Sequence, residues 1–98
     1  MDHIEEIHDL SLKLFERGEE IAPFVYVGLD VYRELKKQLL SKYNNPYADP
    51  STGFTKLCIT TPVGIFDIKV NPNKPAEYIG INGTTLLDII AEEALLGD

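Results

Sequence analysis

Two alternating runs, 54–61 and 64–70, flank Thr61-Pro62-Val63-Gly64, and this stretch constrains the fold more than any other. Pro62 is preset for the second position of a turn, and Gly64 accepts a positive φ. Leu57, Ile59 and Thr61 share one face of the first run, with Phe54, Cys58 and Thr60 on the other. In the second run Phe66, Ile68 and Val70 alternate with Ile65, Asp67 and Lys69, so the apolar set should face a core. A β-hairpin is therefore expected here, and it needs something to cover its apolar face.

The rest of the chain supplies that cover. Ile4, Ile7, Leu10 and Leu14 recur at helical spacing, which predicts an amphipathic helix over about residues 2–17, ended near Gly18. Phe24-Val25-Tyr26-Val27 reads as a short strand stopped by Gly28. Asp30 is then expected to cap a helix running to about Tyr43, with Val31, Leu35 and Leu39 as its buried stripe. Residues 44–53, NNPYADPSTG, form a long loop.

After the hairpin, Asn71-Pro72-Asn73-Lys74-Pro75 is a stiff connection, and Glu77 to Ile81 a short strand. Asn82-Gly83 turns the chain. Thr84 or Thr85 caps a last helix, with Asp88 three residues after Thr85 in a capping-box position and Gly97 as its stop. The predicted order is α-β-α-β-β-β-α. Its 98 residues make one α+β domain, a small, mainly antiparallel sheet with helices packed on one face.

Composition narrows the function. The formal net charge is −7, unevenly placed. Residues 1–20 hold seven acids against Lys13 and Arg17, and residues 75–98 hold five acids and no base. No broad basic face is expected, so direct binding to nucleic acid is not. Cys58 is the single cysteine, which excludes an intrachain disulfide and a cysteine-based metal site. It reads as a small buried hydrophobe in a reducing compartment. The acidic, amphipathic N-terminus does not resemble a targeting signal, and no apolar run is long enough for a membrane span. The expectation is a soluble, cytoplasmic protein without a cofactor.

His3 and His8 are five residues apart, about 140° around a helix, so they do not form the i, i+4 pair of a zinc helix. Glu5/Glu6, Glu19/Glu20 and Glu92/Glu93 are sequence neighbours and do not face each other as a catalytic pair would. No serine stands in a nucleophile-elbow context. No catalytic residue is assigned, and a non-enzymatic protein is expected. Asn82, Gly83, Thr84 and Thr85 lie between a strand and a helix, where exposed N–H groups can hold an anion or small ligand. Gly28 lies at a second such junction.

Protein-binding positions are expected at Tyr47 in the long loop, at Pro62 and Val63 on the hairpin tip, and along the last helix. There Leu86, Leu87, Ile89, Ile90, Leu95 and Leu96 exceed the ~100° stripe one core needs. The excess, including Leu87 and Leu96, should be covered by another subunit or by a partner protein.

Tyr26-Val27-Gly28 before a helix, the hairpin Ile59 to Val70, the crossing Asn71 to Pro75 and then Tyr78-Ile79 resemble small proteins encoded by tailed bacteriophages. The resemblance covers roughly residues 24–81 and carries no functional residue. It implies a virion component or an inhibitor of a host system, with a capsid or host protein as partner. The leading expectation is thus a protein-interaction module. Two alternatives stand beside it: an acidic inhibitor that mimics nucleic acid, and a small-ligand or anion binder at a strand-Gly-helix junction.

Overall fold

The computed structural model describes residues 2–41 and 57–96. Helix α1 (His3–Glu16) is followed by strand β1 (Phe24–Val27) and helix α2 (Leu29–Ser41). Strands β2 (Cys58–Thr61), β3 (Gly64–Val70) and β4 (Ile79–Gly80) come next, and helix α3 (Leu86–Leu96) ends the series. The element order is the one the sequence predicts.

The strands form one sheet in the order β2-β3-β1-β4. The β2–β3 and β1–β4 pairings are antiparallel, but the central β1–β3 pair is parallel, so the sheet is mixed. Register puts Val25 opposite Ile68, Ile59 opposite Phe66 and Val27 opposite Ile79. These residues build one core with Ile7, Leu10 and Leu14 of α1, Val31, Leu35 and Leu39 of α2, and Ile89 of α3. The helices lie on that face. The opposite face carries Tyr26, Ile65 and Lys69, all exposed.

Local chemistry sets the element ends. The Asp2 carboxylate accepts from Ile4 N–H and caps α1. At the other end Gly18 takes φ 74°, its N–H reaching Phe15 O while Glu19 N–H reaches Leu14 O. This pair of bonds is a Schellman motif. In the hairpin, Thr61 Oγ1 donates to Gly64 O at 2.8 Å and accepts from Val63 N–H at 3.2 Å, with Gly64 at φ 136°. Asn82 and Gly83 take φ 56° and 75°, and Ile81 and Thr84 exchange both backbone bonds across them. That is a type I′ turn, which calls for Asn-Gly.

Three expectations are corrected. Asp30 does not cap α2, which begins at Leu29. The cap is remote: Ala76 O accepts from the N–H groups of both Asp30 and Val31. Gly28 allows this approach, because a Cβ there would overlap the backbone of Pro75 and Ala76. The fourth strand does not span Glu77 to Ile81 but covers Ile79–Gly80. Backbone groups of residues 75–78 are spent on the α2 cap, on Gly28 N–H and on a turn closed by Tyr78 N–H to Pro75 O. Val63 is not an exposed tip residue: it is half-buried and packs against the core, drawn in by the Thr61 hydroxyl. Strand residues before Leu57, helix residues beyond Ser41 and the loop with Tyr47 lie outside the described residues.

Candidate functional site

Helix α3 starts from a reciprocal capping box. The Asp88 carboxylate accepts from Thr85 N–H at 2.9 Å, and Thr85 Oγ1 accepts from Asp88 N–H at 3.1 Å. The Thr85 backbone N–H first and the Thr85 hydroxyl beside the carboxylate second hold the Asp88 carboxyl below the usual carboxylate range, with desolvation opposing them. Asp88 in turn adds to the effect of burial in raising the Tyr78 phenol above its ordinary value. The first turn is anchored by the buried Leu86 and Ile89. From Ile90 to Leu96 every residue is exposed. Two exposed ion pairs tie this second half to α1: Lys13 Nζ to Glu93 Oε1 at 3.7 Å, and Arg17 Nη2 to Glu92 Oε2 at 2.7 Å. Such pairs contribute about 0.2–1 kcal/mol each.

At ~100° per residue, α3 has two apolar sides. Leu86 and Ile89 point into the core. Leu87, Ile90, Ala91 and Ala94 recur at i, i+3, i+4 and i+7, a second complete stripe that no other element covers among the described residues. Leu87 is 76% exposed and Ile90 48%. Leu96 is 86% exposed, yet stands about 180° around the helix from Leu87. One flat partner surface cannot take both.

The hairpin tip is a separate surface. Val63 lines a shallow groove of about 240 Å³ with Phe15, Ile21, Pro23 and Ile65. Pro62 beside it is exposed. Phe15, itself 62% exposed, stands about 160° around α1 from Lys13, so this groove and the α3 stripe flank α1 on opposite sides.

The strand-helix junctions have structural tasks. Asn82 Nδ2 donates to Glu20 O at 2.6 Å and its Oδ1 accepts from Ala22 N–H at 3.0 Å, tying the Asn82-Gly83 turn to the segment before β1. Thr84 completes the turn backbone, and Thr85 N–H is taken by Asp88. At Gly28, the α2 N–H groups that would meet an anion meet Ala76 O.

Sequence reading did not find a second groove, of about 500 Å³, lined by His3, Glu6, Asp30, Val31, Glu34 and Glu77. Glu77 arrives there with the crossing that caps α2, a long-range event with no local signature. His3 Nδ1 is enclosed without a hydrogen-bond partner, while His8 Nε2 lies 2.9 Å from Thr60 O. Among the described residues no group of His, Cys, Asp or Glu is arranged to hold a metal ion, and no helix is long and apolar enough to cross a membrane. Cys58 is buried, with its Sγ 3.1 Å from Asp67 Oδ1.

No protein-family model matches the chain, and no curated protein or solved structure matches it either.

Proposed function

We propose that this chain is a non-catalytic protein-interaction module that docks through the outer face of α3. One observation carries the reading: Leu87, Ile90, Ala91 and Ala94 make a full helical stripe, additional to the stripe that serves the core, and it is uncovered. Isolated apolar residues on a surface are ordinary, whereas a contiguous stripe is a recurrent mark of an interface. The resemblance to small phage proteins suggests a virion or host protein as the setting.

The geometry lends less to the alternatives. A nucleic-acid mimic would use both acidic ends, but at the C-terminal one Glu92 and Glu93 are turned onto Arg17 and Lys13. An anion binder needs free N–H groups, and those at Gly28 and Thr85 are engaged by the chain itself.

The test compares the native chain with Leu87→Glu and with Leu96→Glu, by light scattering and by capture of partners from a host lysate. The expected result is that Leu87→Glu, still folded, loses the association and Leu96→Glu keeps it. A folded Leu87→Glu variant with unchanged mass and unchanged partners would overturn the reading.

A further inference from the structure

We draw no further inference here: the strongest candidate, the groove that His3, Glu6, Asp30, Glu34 and Glu77 line between the N-terminal halves of α1 and α2, is a cluster of acidic side chains around a half-buried histidine, and nothing else in the structure points to a ligand for it.

Discussion

Gly28 shows how one missing side chain can hold a fold together. The backbone of Pro75 and Ala76 passes where a Cβ would be, and from there Ala76 O caps α2. Gly28→Ala should therefore cost about 3 kcal/mol through displacement of the crossing, read as a lower urea midpoint. Nothing local announces this role. Val27-Gly28-Leu29-Asp30 reads as a strand end and a side-chain cap, and Asp30 is the better capping residue on propensity. The segment that wins arrives from nearly fifty residues away. Asp88 is the opposite case, legible because its partner Thr85 is three residues distant. Its carboxyl is held below the ordinary range in the folded chain. A depressed folded pKa gives stability above the unfolded value, and that stability is lost as pH falls through the folded one. Asp88→Asn should accordingly be less stable than the native chain at neutral pH and converge with it in acid. Thermal melts across that pH range would show the two curves meeting, and curves that stay parallel would count against the cap.

Among the elements, the hairpin and the helices are readable because their signals repeat at short range. Alternation places Phe66 and Ile68 inside, and the 3.6-residue period does the same for Leu10 and Leu14. The short β4 is not readable, since its flanking residues look strand-like but their backbone groups are committed elsewhere. The excess apolar surface of α3 is readable in amount but not in direction. The side that faces the core depends on where α1 and the sheet put the helix, and only this separates Leu87 from Leu96. Two substitutions on α3 test that assignment. Ile89→Ala opens a void in the core and should cost about 2–5 kcal/mol. Leu87→Glu, on the open stripe, should change monomer stability by less than about 0.5 kcal/mol. Chemical denaturation of both at low protein concentration would separate them, and equal losses would mean that α3 is buried on both sides.

At the level of the whole molecule, the α+β class is written in the order of elements, but the sheet is not. Parallel pairing of β1 with β3 joins segments about forty residues apart through α2 and β2, and no turn chemistry specifies it. Charge is also a whole-molecule property. Asp9 and Glu16 are exposed on α1 without an ion pair to any described residue, and the acids outnumber what Lys13 and Arg17 can neutralise. Stability of the monomer should therefore rise with moderate salt, as self-repulsion is screened. Thermal melts at low protein concentration would show it; a midpoint that falls with salt would mean that the ion pairs outweigh the repulsion. The two rims of the sheet complete the picture. One is β2, where the His8 ring of α1 occupies the carbonyl of Thr60. The other is β4, only two residues long. Among the described residues both rims are short, and on β2 the His8 ring takes one of the carbonyls on which strands of separate molecules would stack. Short edges of this kind oppose the open-ended stacking of strands, so any contact this chain makes falls to side chains rather than to backbone.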